Sequence, residues 1–129
     1  MREVIRSIHR ASYAITENNR LTYIYKRDAN KKIVEVTCAS LEIKVRDKWN
    51  TIIYFDSDET HSGILHKHTY VSLEKDADIV DYFGVKRKGS QKKLLEWAIK
   101  DIRTNYIVYK KQFIKRLRQT GTDIDIDLY

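Results

Sequence analysis

The stretch Ile33–Val45, IVEVTCASLEIKV, decides the fold because it is a long strand pattern with a fault in it. Its apolar residues fall on even-numbered positions up to Cys38 and on odd-numbered positions from Leu41 onward. A strand keeps one apolar face only while its side-chain period stays at two. The change of phase therefore predicts a β-bulge or bend near Ala39-Ser40.

Further strand patterns flank this run on both sides. Alternation and β-forming residues predict strands at 21–26 (LTYIYK), 49–56 (WNTIIYFD) and 63–73 (GILHKHTYVSL). Turn-forming residues stand before and after the first of them, at Asn18-Asn19 and at 28–30. The first 75 residues therefore predict an antiparallel β-meander of four to five strands.

The chain from 76 to 120 is mainly helical in pattern. Asp76 is suited to cap a short helix, ADIVDYF, which Gly84 ends, and Ser90 is suited to cap a long helix over 91–119 that stops at Thr120-Gly121. The apolar residues of the long helix recur at steps of three and four: Leu95, Ala98, Ile99, Ile102, Tyr106, Tyr109, Phe113 and Leu117. The predicted fold class is α+β, an antiparallel β-meander followed by a short helix and a long basic C-terminal helix.

The length of the second helix raises a geometric problem. Its 29 residues would span about 44 Å, whereas a compact domain of this size has a radius of gyration of about 14 Å. The helix is expected either to break near Thr104-Asn105 or to project and pack against a second copy of the chain. Five apolar residues off the main stripe favour such a homodimer: Leu94, Trp97, Ile107, Val108 and Ile114.

Size and composition narrow the class of protein. A chain of 129 residues is expected to form one domain, 1–129, with mainly strands in 1–75, mainly helices in 76–120 and an acidic tail in 121–129. The lone cysteine, Cys38, agrees with a reducing compartment. Neither a signal peptide nor a stretch of 18 apolar residues is present, so the sequence predicts a cytoplasmic protein that does not enter the membrane.

Positive charge is confined to one block of the chain. Residues 1–85 carry 13 basic and 13 acidic side chains, whereas residues 86–118 carry 12 basic and two acidic ones, a net charge of +10. Such a block is typical of a surface that binds phosphates, and the alternative is a helix that only keeps the protein soluble. The predicted nucleic-acid-binding residues are Lys86, Arg87, Lys88, Lys92, Lys93, Lys100 and Arg103.

The acidic end of the chain, DIDIDLY (123–129), has three interpretations. It can fold back over the basic helix, add as an edge strand to a neighbouring sheet, or fray.

Three of the four histidines fall within 61–68. In a strand, even-numbered residues share one face, so His66, His68 and Tyr70 are expected together, while the odd-numbered residues from Leu65 form the core face. Two neighbours complete the candidate catalytic set, Asp56 at the end of the preceding strand and His61 in the loop between.

This pattern has three chemical interpretations. One imidazole can accept a proton while another donates one, which metal-independent RNA cleavage requires, with Lys or Arg stabilising the phosphorane. His-x-His with a carboxylate also suits zinc or iron. The third interpretation is that the histidines are ordinary strand residues. No cofactor is expected under the first or the third.

The stretch 54–70, YFDSDETHSGILHKHTY, carries a resemblance. An aromatic-Asp strand end, a short polar loop and a strand with His-x-His, followed by helices, resembles the small toxins of the TumE type and related uncharacterised families, over about 49–100. Those toxins are partners in bacterial and archaeal toxin–antitoxin modules. The resemblance implies that Asp56, His66 and His68 occupy the polar motif positions of a toxin that acts on RNA or nucleotides and is held by an antitoxin.

The sequence therefore predicts an RNA-binding protein with metal-independent ribonuclease activity. His66 and His68 would be the acid–base pair, Asp56 and His61 would orient them, and the basic residues would grip the RNA backbone. The hypothesis requires the two imidazoles to share one environment with the cationic helix beside them. The alternatives are a non-catalytic nucleic-acid-binding regulator and a His-x-His metalloprotein.

Overall fold

A computed structural model describes residues 5–57, 63–71, 73, 78–80, 86–122 and 126. Five main strands follow one another along the chain: β1 (Ile5–Thr16), β2 (Asn19–Asp28), β3 (Ile33–Val45), β4 (Lys48–Asp56) and β5 (Leu65–Tyr70). Two short strands, β6 (Asp78–Val80) and β7 (Lys86–Arg87), precede the helix α1 (Gln91–Gln119). The fold class is α+β, as the sequence predicts.

The sheet is an antiparallel meander in which each strand from β1 to β5 pairs with the one that follows it in the chain. The order is β1-β2-β3-β4-β5-β6, and β7 also pairs with β5. β6 lies opposite His68–Tyr70, and β7 lies opposite Leu65 and His66. The described part of 76–84 is therefore a strand at 78–80, so the predicted short helix is wrong there, and the rest of that prediction lies outside the described residues.

β3 contains the predicted change of phase. Ile24 of β2 pairs with Cys38, but the next residue pairs with Val36, so Thr37 is an extra residue on β3. This bulge lies two residues before the expected Ala39-Ser40. Its effect is the predicted one, because Val36 is buried before it and odd-numbered residues from Ala39 onward are buried after it.

The helix α1 is continuous, so a break near Thr104-Asn105 does not occur. Ser90 caps its start, accepting a hydrogen bond from the backbone N–H of Lys93 at 3.3 Å, and the chain turns away at Thr120-Gly121. The helix lies along β3 and also contacts β2 and β4. A 13-residue strand is about 43 Å long, so a helix of about 44 Å finds a sheet of matching length beneath it.

The hydrophobic core lies between α1 and one face of the sheet. The strands contribute large apolar residues that are fully buried, among them Leu21, Leu41, Ile43, Phe55 and Leu65, and the helix contributes Leu95, Ala98, Ile102, Phe113 and Leu117. Leu94 is also buried and the Trp97 ring packs edge-on against Phe55, so two of the residues predicted to face a second copy are used within this chain.

We predict that the core face and the outer face of α1 differ sharply in their effect on stability. Ile102→Ala should lower the free energy of unfolding by about 2–5 kcal/mol, because it leaves a cavity between helix and sheet. Val108→Ala, at a residue that is 50% exposed, should change it by less than about 0.5 kcal/mol. Urea denaturation measures both. A large effect of Val108→Ala that grows with protein concentration would instead support a homodimer through this helix.

Candidate active site

The two faces of the sheet differ in chemistry. We call the side covered by α1 the helix face and the opposite side the histidine face. Ring contacts place Phe55 and Lys67 on the helix face, because Phe55 packs against Trp97 and the Lys67 ammonium lies 5.4 Å from the centre of the Tyr109 ring. Strand alternation then places the neighbouring residues Asp56 and His66 on the histidine face.

The histidine face carries a polar cluster at the β4–β5 pair. His68 Nε2 lies 3.2 Å from Asp56 Oδ2, and the strand register sets Asp56 directly opposite His66. Both members of the ion pair are buried, with His68 5% and Asp56 9% exposed. One carboxylate therefore stands against two imidazoles, in a place where water is largely excluded.

The second carboxylate oxygen of Asp56 has a distinct environment. Asp56 Oδ1 is buried and accepts no hydrogen bond from any described residue. A buried acceptor without a donor is unfavourable by about 1–3 kcal/mol. Asp56 Oδ1 is thus a buried acceptor that no described side chain satisfies.

Aromatic rings enclose the second histidine. The Tyr54 ring stacks on His68 with centroids 4.3 Å apart and an angle of 4° between the planes, and Tyr70 lies at 6.0 Å from Tyr54. Tyr54 follows from period-two alternation before Asp56, but sequence reasoning did not select it, since its pairing with His68 depends on a register that the sequence does not state. Tyr70 lies on the predicted face.

The tautomer of His66 follows from a backbone contact. His66 Nδ1 lies 2.7 Å from the carbonyl oxygen of Ile64, which can only accept, so Nδ1–H is the donor. In the neutral ring the basic atom is therefore Nε2. His66 is only half-buried, so it is the more accessible of the two imidazoles.

Cys38 lies on the same face but is a poor nucleophile. Burial raises the pKa of its thiol to about 11, against the effect of a hydrogen bond from Ser40. At neutral pH the sulfur is therefore protonated, and thiolate chemistry is not favoured at this site.

Glu42 and Arg20 form a second ion pair on the histidine face, at 2.7 Å. Burial alone would raise the pKa of Glu42, but hydrogen bonds from Arg20 and Thr22 and the positive charges of Arg20 and Arg10 hold it below its usual value. The guanidinium of Arg20 also lies 4.4 Å from the Trp49 ring centre.

We predict that Glu42→Gln destabilises the protein by about 1–2 kcal/mol at pH 7, because it removes a charged hydrogen-bond acceptor. A carboxyl whose pKa is lowered by folding stabilises the native state above its unfolded pKa of about 4.3. The difference from wild type should therefore shrink as the pH falls below about 4, through the lowered native pKa. Urea denaturation at pH 7 and pH 3 measures it.

Glu96→Gln, at an exposed position on α1, is the matched control and should alter stability by less than about 0.5 kcal/mol at either pH. Equal losses for Glu42→Gln at both pH values would contradict the assigned role of its charge.

The helix cations do not lie beside the histidines, so one of the two conditions that the ribonuclease hypothesis set is not met, and a ribonuclease centre on this face would need other cations to hold its substrate. Lys92, Lys93, Lys100 and Arg103 are on α1, across the sheet from the polar cluster. Arg87 lies 4.7 Å from the centre of the Trp97 ring, also toward the helix. Of the predicted phosphate-binding residues, the ladder sets Lys86 opposite His66, while Lys88 is in the exposed loop before α1. His61 lies outside the described residues.

Exposed cations form a separate surface along the outer side of α1. We call them the basic stripe: Lys93, Lys100, Lys111, Lys115 and Arg118. The 26 residues from Lys93 to Arg118 span about 38 Å. The stripe and the histidine cluster are thus two surfaces of one molecule, separated by the thickness of the helix and the sheet.

The acidic tail is placed at one residue, Ile126. It is partly buried against the core and lines a cavity of about 560 Å³ together with Lys111, Ile114 and Lys115 of α1. The other residues of DIDIDLY, among them its three aspartates, lie outside the described residues, so the three interpretations of the tail stay open.

Two further findings bear on the class of protein. Among the described residues no helix combines the length and apolarity that crossing a membrane requires. Within the same part of the chain, no three His, Cys, Asp or Glu side chains are grouped so that they could hold one metal ion.

No protein-family model, curated protein or solved structure matches this chain. The resemblance to TumE-type toxins therefore stays a prediction.

Proposed function

We propose that this protein is a cytoplasmic RNA-binding protein with a metal-independent ribonuclease centre on the histidine face, acting as the toxin of a toxin–antitoxin pair. The observation that carries the proposal is the position of Asp56, opposite His66 and 3.2 Å from His68 Nε2. Buried ion pairs seldom add stability over apolar residues of the same size. Their presence away from the hydrophobic core favours a chemical role.

The geometry supports distinct roles for the two imidazoles. His66, neutral and with Nε2 as its basic atom, takes the proton of a ribose 2′-hydroxyl. The 2′-oxygen then attacks phosphorus, and the bond from phosphorus to the 5′-oxygen breaks. His68, which faces Asp56 through Nε2, gives the proton of its other ring nitrogen, Nδ1, to that leaving oxygen. The products are a 2′,3′-cyclic phosphate and a 5′-hydroxyl, and the two histidines have exchanged protonation states.

The other members of the cluster position these groups. Asp56 holds the His68 ring through Nε2, and Tyr54 fixes the ring plane by stacking. Because only 5% of His68 is exposed and both of its ring nitrogens are buried, docking of the RNA must displace the side chains that cover them before this proton transfer. Tyr70, half-buried beside Tyr54, lies on the same face and is suited to contact the substrate.

We predict that His66→Ala and His68→Ala each lower the rate of RNA cleavage by about 10²–10⁴-fold. RNA affinity should change little, because neither change removes a phosphate-binding cation. Gel assays on a labelled oligoribonucleotide give the rate, and fluorescence anisotropy gives the affinity. His9→Ala is the matched control, since His9 stacks on Tyr25 at a distance from the site and should leave cleavage intact.

Asp56→Asn tests the positioning role separately. It should lower kcat for RNA cleavage and leave KM unchanged, because His68 loses the carboxylate that orients its ring. A merely structural role would lower the free energy of unfolding and would raise KM as well.

The same assays separate the alternatives. Cleavage that stops in chelator and returns with zinc, iron or manganese would establish the metalloprotein instead. RNA binding by wild-type protein that never cleaves, with or without metal, would leave a non-catalytic regulator.

One observation favours that second candidate function, a nucleic-acid-binding protein without catalysis. The basic stripe is long, exposed and remote from the histidines, so it can bind a polyanion with no help from them. In the ribonuclease proposal the same stripe adds affinity for longer RNA.

We predict that binding to the basic stripe weakens steeply with salt, because each neutralised phosphate releases counterions. The double substitution Lys93→Gln and Lys100→Gln should reduce the slope of log affinity against log salt by about 1.4 for single-stranded RNA. Lys31→Gln with Lys32→Gln, in the exposed β2–β3 turn, is a charge-matched control that should leave the slope unchanged. An RNA affinity that does not change with salt concentration would mean that the basic stripe only maintains solubility.

A further inference from the structure

The ribonuclease proposal leaves one chemical requirement unmet on the histidine face. A cluster that cleaves RNA must hold a polyanionic backbone, and the cations of α1 lie across the sheet from it. The histidine face itself must therefore supply a cation.

Four cations with described side chains lie on the histidine face, and three of them are engaged. Arg20 binds Glu42 at 2.7 Å, Lys26 binds Glu35 at 2.9 Å, and the Lys44 ammonium lies 5.3 Å from the centre of the Trp49 ring. The fourth, Arg10, is exposed and makes no hydrogen bond or ion pair with a described residue.

The strand register connects Arg10 to the polar cluster. Arg10 of β1 pairs with Ile24 of β2, Ile24 pairs with Cys38 of β3, and Asp56 lies on the next strand, opposite His66. These residues form one row across the histidine face. Three strand spacings separate the backbones of Arg10 and Asp56, about 14 Å.

The residues between the two ends of the row are uncharged, since Ile24 and the protonated thiol of Cys38 lie there. Arg10 is close enough to them for its charge to act on Cys38: burial, the largest effect, raises the pKa of the thiol, and the charge of Arg10 partly opposes this rise. An extended single strand of RNA can cross Ile24 and Cys38 with one phosphate near each end of the row.

We propose that Arg10 is a phosphate-binding residue of the ribonuclease site, which holds a backbone phosphate of single-stranded RNA next to, but not at, the cleaved position. Its guanidinium presents a fork of donors that matches two phosphate oxygens. The row fixes the path of the substrate, from His66 across Cys38 to the β1 edge of the sheet. This inference rests on the proposed function and names the substrate as a single strand.

Kinetics on a short oligoribonucleotide test the assignment. A contact away from the cleaved bond binds ground state and transition state equally, so Arg10→Gln should raise KM about tenfold and leave kcat unchanged. The slope of log KM against log salt should fall by about 0.7, the value of one single-strand phosphate. Arg10→Lys should restore the slope, because the charge is retained, and part of the affinity.

Arg46→Gln is the matched control, an exposed arginine in the β3–β4 turn that should change neither KM nor the slope. Unaltered KM in Arg10→Gln, in an enzyme that cleaves, overturns the assignment and leaves the ribonuclease standing. If wild type binds the oligonucleotide without cleaving it, the ribonuclease fails and the dissociation constant of Arg10→Gln decides the assignment. If wild type does neither, both fail. A KM rise that Arg10→Lys does not reverse, with an equal loss of stability in urea, also overturns it.

Discussion

The burial of one face of β3 against α1 sets the position of every other functional group. The strand must direct its larger side chains toward the helix, since Leu41 and Ile43 are fully buried there. Pairing then transmits this choice to β4 and β5, because neighbouring strands in register share their faces. Phe55 and Leu65 follow it into the core. The residues that alternate with these core positions must lie on the opposite face, and they are Asp56, His66 and His68.

The bulge at Thr37 keeps this arrangement consistent along the whole of β3. Without the extra residue, Val36 and Leu41 would lie on opposite faces, and one of them would be exposed. The extra residue on the β3 side lets both reach the core. It also keeps Cys38 and Ser40 on the histidine face, so the polar row and the apolar layer both depend on one local irregularity.

Sequence periodicity was sufficient to predict which face of the sheet each residue occupies, but not the distances between side chains. The even parity of His66 and His68 and the odd parity of Leu65 predicted which side each would occupy, and the pairs with Asp56 and Phe55 agree. Ser90 and Gly121 marked the ends of the helix, because capping and positive φ have local causes. The short strand at 78–80 was not predicted, since its conformation depends on pairing with β5 rather than on its own residues.

The side on which α1 packs could not be predicted either. Charge along the chain shows that the helix is basic, but a helix presents its cations outward from whichever face of the sheet it covers. α1 packs on the apolar face of the sheet, opposite His66 and His68, so its cations lie away from those two histidines. A register of five strands is needed to find Arg10, which stands 46 residues before Asp56 and yet shares its row.

That separation has a chemical consequence. Cations packed closely around the cluster would disfavour the charged form of both imidazoles. With the helix cations on the other surface, the Asp56 carboxylate lies 3.2 Å from His68 Nε2 with none of them beside it. Under the proposed function, Arg10 at the far end of the row would bind a phosphate without adding positive charge beside the histidines. The sheet therefore separates the helix cations from the histidine cluster. The same alternation of side chains that buries the core causes this separation.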